Sequence, residues 1–155
     1  VHAIALVSLP DELYEESPYS IPSFVDNALV PYDFNNEDFH TDHFDPCCET
    51  PECAYCSGSG TSNQRFNENA FFDWYEIGGR WNAAAYGLKP SAPVRGIDFN
   101  VIKVKDLYLW SSQRPVTLNV SIVVDTDNNC TVAPEDWLTA SENMDKYVVV
   151  IDYHS

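Results

Sequence analysis

Lysine and arginine are the scarce residues of this chain: eight in all, none before Arg65, against 24 aspartates and glutamates, for a formal net charge of −16. Residues 1–64 carry twelve acids and no base, while residues 65–155 carry twelve acids and all eight bases. A protein that grips DNA or RNA directly must neutralise phosphates with Lys and Arg, so that function class is excluded as a first expectation. The same field repels anionic membrane and attracts cations or basic protein surfaces. Long apolar runs are also missing. None approaches the roughly 18 residues of a helical membrane span, and no basic segment leads into an apolar core that would read as a cleavable signal.

What is present suffices for a packed domain. With 155 residues, 45% apolar and 14% aromatic, the chain has the size at which folding buries about 68–70% of the unfolded surface. This predicts one domain over 1–155 and excludes disordered, collagen-like and coiled-coil classes. Val1–Ser8 is apolar on both faces, as a buried strand is. Pro10–Ser20 is acidic and bracketed by prolines, a loop pattern. Ser23–Val30 reads as a helix, with Phe24/Ala28 and Val25/Leu29 stacked at i,i+4 and Pro31 ending it. Residues 33–69 are polar and weakly periodic, an inserted loop that needs a cross-link to hold it. Phe71–Ile77 is an aromatic strand running into Gly78-Gly79, a turn or bulge that needs positive φ. Phe99–Leu107 is a weaker strand. Val116–Val124 alternates strictly, with Val116, Leu118, Val120, Ile122 and Val124 on one face. Pro134–Met144 is a helix opened by Pro134, Glu135 and Asp136, and Lys146–His154 is a closing strand. The order predicts an α+β fold: an antiparallel sheet with two helices on one face, ferredoxin-like in order, with a zinc-knuckle loop inserted.

The device that holds the loop is its cysteines. Four of the five, Cys47, Cys48, Cys53 and Cys56, fall within ten residues, and Cys130 stands apart. An odd count in one tight cluster is unlike a secreted disulfide framework and predicts reduced thiols in an intracellular protein. A Cys-x-x-Cys turn sets two thiolates about 3.5–4 Å apart, a natural bite for tetrahedral zinc. Ser57-Gly58-Ser59-Gly60 then lets backbone N–H groups curl toward the sulfurs. Because adjacent cysteines bind one ion with poor geometry, the expected ligands are Cys53, Cys56, Cys48 and His43, with His40 and Cys47 as substitutes. Cys48-x4-Cys53-x2-Cys56 also copies a two-iron ferredoxin spacing with Cys130 as a distant fourth ligand, but the wrapping loop is missing. Cys53–Gly60 resembles one half-repeat of the DnaJ-type zinc module, present once.

Three further patterns are candidate sites. In the run from Trp74 to Trp81, Gly78 and Gly79 place backbone N–H groups beside Arg80, which suits a phosphate or carboxylate, with Trp74, Tyr75 and Trp81 able to stack a base. The same residues also suit a purely architectural role, with Arg80 packed on a Trp face and paired to Asp73 or Glu76. Asp152 and His154, at i,i+2, project from one strand face as a carboxylate–imidazole pair. Asp125, Asp127, Asn129 and Asp136 fall at positions 1, 3, 5 and 12 of a calcium loop, but Cys130 occupies the glycine position, and a hairpin turn accounts for the same residues.

Phe72-Asp73-Trp74-Tyr75-Glu76-Ile77-Gly78-Gly79-Arg80-Trp81 resembles the Trp-Asp-Trp-Tyr-x-Ile-Gly-Gly-Arg-Trp signature of a group of phage and actinobacterial proteins of uncharacterised activity. That group is also similar in its Cys-x-x-Cys-x-Gly-x-Gly knuckle, in an early Pro-Tyr-Asp (Pro31-Tyr32-Asp33), and in a terminal strand ending Asp-x-His (Asp152-Tyr153-His154). Phe72 stands where the group has its first Trp. The resemblance implies a phage-type origin and a shared fold and supplies no reaction. The resulting expectation is a non-enzymatic, zinc-knuckled acidic protein that docks on a basic host protein, inhibiting a nucleic-acid-binding or defence factor by charge mimicry. The alternatives are a small enzyme or nucleotide-binding protein using Arg80, Asp152 and His154, and a virion or accessory structural protein.

Overall fold

The computed structural model describes residues 2–48, 50–81, 100–107 and 120–155. The chain forms two compact units, Val1–Leu29 with Trp74–Ser155, and Val30–Asp73.

The larger unit is a sheet in the order β4-β8-β1-β6-β7, with β5 also bonded to β8. Its strands are β1 (His2–Leu9), β4 (Trp74–Ile77), β5 (Val101–Lys103), β6 (Val120–Asp125), β7 (Cys130–Val132) and β8 (Tyr147–His154). The two long central strands are antiparallel in unbroken register from His2 opposite His154 to Leu9 opposite Tyr147. Directly opposed residues share a face, and neighbours along a strand alternate. Ile4, Leu6, Val148 and Val150 therefore face one way, and Ala5, Val7, Val149 and Ile151 the other; all eight are buried.

Each apolar face is covered by helix. On the first, Trp137 of α3 (Pro134–Thr139) packs with Ile4, Leu6, Ile102, Val123, Val148 and Val150. On the second, Tyr14 of α1 (Asp11–Glu16) lies 4.7 Å from the Tyr147 ring, and Asp26 of α2 (Ile21–Leu29) accepts a 2.6 Å hydrogen bond from the Tyr75 hydroxyl. Tyr75 sits opposite Tyr153, on the Tyr147 face. The α+β class stands, but the two expected helices lie on opposite faces, because β1 and β8 are apolar on both sides and neither side can be left to water. The ferredoxin-like order does not describe these pairings either. β1 bonds directly to parallel β6, where the split motif would interpose an antiparallel strand.

Several local expectations shift. Asp11–Glu16 is helical and Pro18–Ser20 a 3-10 turn where a loop is expected; Pro10 occupies the helix cap and Asp11 and Glu12 the first turn, a favourable start. β6 is irregular: its register against β1 shifts between Ile4 and Ala5, so Val120 is opposite Ile4 and Ile122 opposite Ala5. The bulge turns Val120 and Ile122 to opposite faces, and the simple alternation fails there. Val116, Leu118 and Phe99 lie outside the described residues. Only Val101–Lys103 of the weaker strand is extended, and residues 104–107 are helical. The final helix stops at Thr139 and continues as a 3-10 turn, Ser141–Asn143.

The smaller unit is a hairpin, β2 (Thr41–Pro46) antiparallel to β3 (Thr61–Phe66), from Thr41 opposite Phe66 to Pro46 opposite Thr61. At its base, Asn67 donates 2.6 Å to the Pro31 carbonyl, and Asp33 bridges Phe72. The polar segment 33–69 is thus a strand pair, invisible to periodicity because both strands are exposed almost throughout. Among the described residues, no helix is long and apolar enough to cross a membrane.

Candidate functional site

The hairpin tip holds the densest chemistry. Pro46 ends β2, and the Cys47 N–H donates 2.8 Å to the Gly60 carbonyl, closing the loop that carries all four clustered cysteines. The Cys53-x-x-Cys56 segment is a tight turn: Ser57 N–H bonds the Cys53 carbonyl and Ser59 N–H the Cys56 carbonyl, both at 3.0 Å. Ser57, Gly58 and Gly60 all have positive φ. At Gly58 this is a requirement of space as well, since a Cβ would meet Pro51 Cα at 3.1 Å.

This folding brings the Sγ atoms of Cys47, Cys48, Cys53 and Cys56 within 4.8 Å of one another. Cys47 and Cys53 are 3.7 Å apart, the sulfur–sulfur edge of a tetrahedron with metal–sulfur bonds of about 2.3 Å. None of the five cysteines is in a disulfide. The four sulfurs can hold a metal ion. Among the described residues, no other group of three or more His, Cys, Asp or Glu side chains converges so closely.

The thiols are tuned unequally. Crowding by Cys56, burial and the neighbouring Cys53 push Cys47 up to about 12. Cys53 is held below the ordinary thiol value by N–H groups of Tyr55 and Cys56. At Cys56 burial pulls upward, but N–H groups of Gly58 and Gly60 outweigh it and the net shift is downward. Those amides are the ones the Ser-Gly-Ser-Gly run was expected to supply. A cation among the sulfurs removes the mutual repulsion that keeps Cys47 protonated.

The expected fourth ligand is placed elsewhere. His43 stacks on Phe66 with ring centres 3.8 Å apart, and its Nε2 is 2.9 Å from the Thr41 hydroxyl. His40 Nε2 lies 2.9 Å from the Phe34 carbonyl. Cys47 joins Cys48 in the cluster instead. Both cysteines follow the end of β2 at Pro46 and lie in no helix or strand.

The second constellation lies at one end of the large sheet. Asp152, 1% exposed, sits opposite both Ile4 and Glu76, with His154 opposite both His2 and Trp74. Its carboxylate takes His2 Nδ1 at 2.8 Å and the Arg80 N–H at 3.0 Å. Gly79 makes the second contact possible: its φ is +48°, and a Cβ there would overlap Asp152, reaching 2.5 Å from Oδ2. The His2 ring meets His154 edge-on at 5.5 Å and Trp74 at 6.0 Å. Of Gly78 and Gly79, expected to offer main-chain donors to an anion beside Arg80, Gly78 uses its own internally, its N–H donating 2.9 Å to the Val150 carbonyl, and the Arg80 N–H goes to Asp152. Trp74 and Tyr75 point to opposite faces, so they cannot stack one base together. The side chain of Trp81 lies outside the described part. His2 is the residue sequence reasoning missed. The signal for it was topological: pairing the first and last strands places position 2 beside 154.

The calcium pattern resolves as a turn. Asp125 accepts 2.8 Å from Asn128 Nδ2 and 3.2 Å from Trp137 Nε1, tying the β6–β7 turn to α3, while Asp127 pairs with Lys146 at 3.0 Å.

Charge distribution completes the picture. Unit Val30–Asp73 contains nine acids and Arg65 as its lone base; Arg65 is paired to Asp42 across the hairpin. The same unit exposes Phe44 (65%) and Tyr55 (82%). In the other unit α1 displays Asp11, Glu12, Glu15 and Glu16, all exposed, opposite buried Tyr14. A scan against protein-family models matches none, and searches of curated proteins and of solved structures find no similar chain.

Proposed function

We propose that this is an acidic docking protein of phage type that binds a basic surface on a host protein, with a structural zinc ion in its cysteine knuckle. The target class is a nucleic-acid-binding or defence protein, whose phosphate-binding face the acids imitate in the host cytoplasm. The observation that carries the reading is the hairpin unit: nine acids with one internally paired base, beside exposed Phe44 and Tyr55. Carboxylates with exposed aromatics suit an interface whose charges steer and whose rings anchor. Zinc is the choice for the knuckle because a four-thiolate tetrahedral set is the common donor set of structural zinc. Its contribution there would be to offset part of the charge of the four sulfurs and to fix them, which sets the loop that presents Tyr55. The phage-type signature is consistent with this reading.

Arg80, Asp152 and His154 as a nucleotide site are the weaker reading, since the Gly78 N–H is spent on the Val150 carbonyl and Trp74 and Tyr75 face opposite ways. The experiment is a pull-down from host lysate with untagged-metal controls at about 50 mM and about 500 mM salt, conditions spanning a large change in screening. A basic partner retained only at low salt, and lost by a variant with Asp45→Asn, Glu37→Gln, Asp38→Asn and Glu52→Gln, supports the proposal. Equal recovery by that variant refutes it.

A further inference from the structure

We propose that His2 and His154 form a second metal site, for a divalent first-row ion that favours imidazole nitrogen, with Asp152 as the carboxylate that orients His2. The inference goes beyond the docking reading and does not depend on it. Three observations carry it. His2 and His154 are directly opposed on adjacent strands and on one face, with ring centres 5.5 Å apart. Two imidazoles sharing an ion at about 2.0–2.1 Å per nitrogen have ring centres about 5 Å apart, so a small side-chain rotation closes the pair on a cation.

The second observation is Asp152. Its Oδ1 holds His2 Nδ1 at 2.8 Å, which leaves Nε2 as the coordinating nitrogen. A carboxylate on the far nitrogen of a ligating histidine is the usual outer support of a metal site; it fixes the ring and raises its basicity. Asp152 is itself held by the Arg80 N–H and by its fit against Gly79, so the Ile77-Gly78-Gly79-Arg80 turn and the terminal Asp-x-His strand converge on the same atoms. The third observation is access and field. The His2 side chain keeps 23% of its surface exposed and Trp74 beside it 50%, while a chain of net charge −16 concentrates cations near its surface. Two imidazoles with water completing the shell suit Ni²⁺, Cu²⁺ or Zn²⁺, and not Mg²⁺ or Ca²⁺.

The test is calorimetric titration with NiCl₂ of the untagged protein carrying a single equivalent of zinc, enough for the cysteine knuckle alone, with zinc assayed before and after. Wild type should bind one further equivalent without losing zinc. His2→Gln and His154→Gln should each weaken that binding at least tenfold, and Asp152→Asn by roughly 10- to 100-fold. A His40→Gln/His43→Gln double variant should behave as wild type, and Cu²⁺ in the same site should show nitrogen coupling from two imidazoles in its electron spin resonance spectrum. His2 and His154 are partly exposed strand-end residues, so their variants remain folded, with circular dichroism as the check. No added equivalent in wild type, nickel taken up only as zinc leaves, unchanged binding in His2→Gln, or loss in the His40/His43 variant would each overturn the proposal.

Discussion

Gly79→Ala is a one-carbon change whose cost the structure fixes from two directions. The residue sits at φ +48°, and its new Cβ would come within 2.5 Å of Asp152 Oδ2. Left-handed backbone costs a residue with a Cβ about 1–2 kcal/mol, and forcing atoms into a packed site about 1–3 kcal/mol more. Relief by moving Asp152 breaks the bonds from His2 and the Arg80 N–H, hydrogen bonds to a charged group worth about 1.5–3 kcal/mol each. The expected loss is therefore about 2–5 kcal/mol, a large share of the roughly 5–15 kcal/mol that holds a domain together, and a Tm drop on the order of 10 °C. Urea unfolding of wild type, Gly79→Ala, Asp152→Ala and the double variant separates the contributions. The backbone part should persist in the Asp152→Ala background, and the steric part should shrink without vanishing, because Asp152 Cβ, the atom nearest the new methyl, remains in alanine, giving a coupling of about 0.5–3 kcal/mol. A cost below about 1 kcal/mol, against the left-handed penalty alone, or strict additivity in the cycle, would refute the packing argument.

Three further outcomes follow from particular contacts. Cys47→Ser and Cys56→Ser should each lose the bound metal while His43→Gln keeps it, as measured by elemental analysis and by release to a chromogenic chelator. Asp125 is buried, which raises its pKa, but hydrogen bonds from Asn128 and Trp137 outweigh this and hold it below the carboxylate norm. A depressed folded value means its stabilisation is complete above the unfolded pKa of about 3.9 and is lost as pH falls through the folded one. The stability gap between wild type and Asp125→Asn in urea melts should hence close below about pH 4; a gap constant from pH 7 to 2 contradicts the assignment. Amide hydrogen exchange should be slowest in β1 and β8, the only long strands covered on both faces among the described residues, and fast exchange in both would contradict the topology.

Much of the large unit was legible because burial on two faces leaves a continuous apolar run. Ile4-Ala5-Leu6-Val7 and Val148-Val149-Val150-Ile151 read as buried strands without knowledge of partners. The same residues implied cover on both sides, a consequence that an order of elements alone does not express. Ser121 was illegible as a bulge, since Val120, Ile122 and Val124 alternate in sequence whether or not the backbone does. The hairpin was missed because Thr41–Pro46 and Thr61–Phe66 face water almost throughout, so neither has a hydrophobic period. The knuckle was legible in its spacing, but not the choice of Cys47 over His43. That choice depends on strand parity, which turns His43 onto Phe66. His2 carried no local signal; only long-range pairing makes it a neighbour of Asp152.

The most direct test of the docking proposal is the association rate of the purified protein with its captured basic partner, followed by stopped flow across a salt series. Steered association falls steeply as salt rises, with dissociation little changed. Wild type should show that slope, and a variant carrying Asp11→Asn, Glu12→Gln, Glu15→Gln, Glu16→Gln and the four hairpin changes should bind slowly and nearly independently of salt. A neutralised variant that associates as fast as wild type in low salt would contradict the account and leave the acids as a solubilising surface.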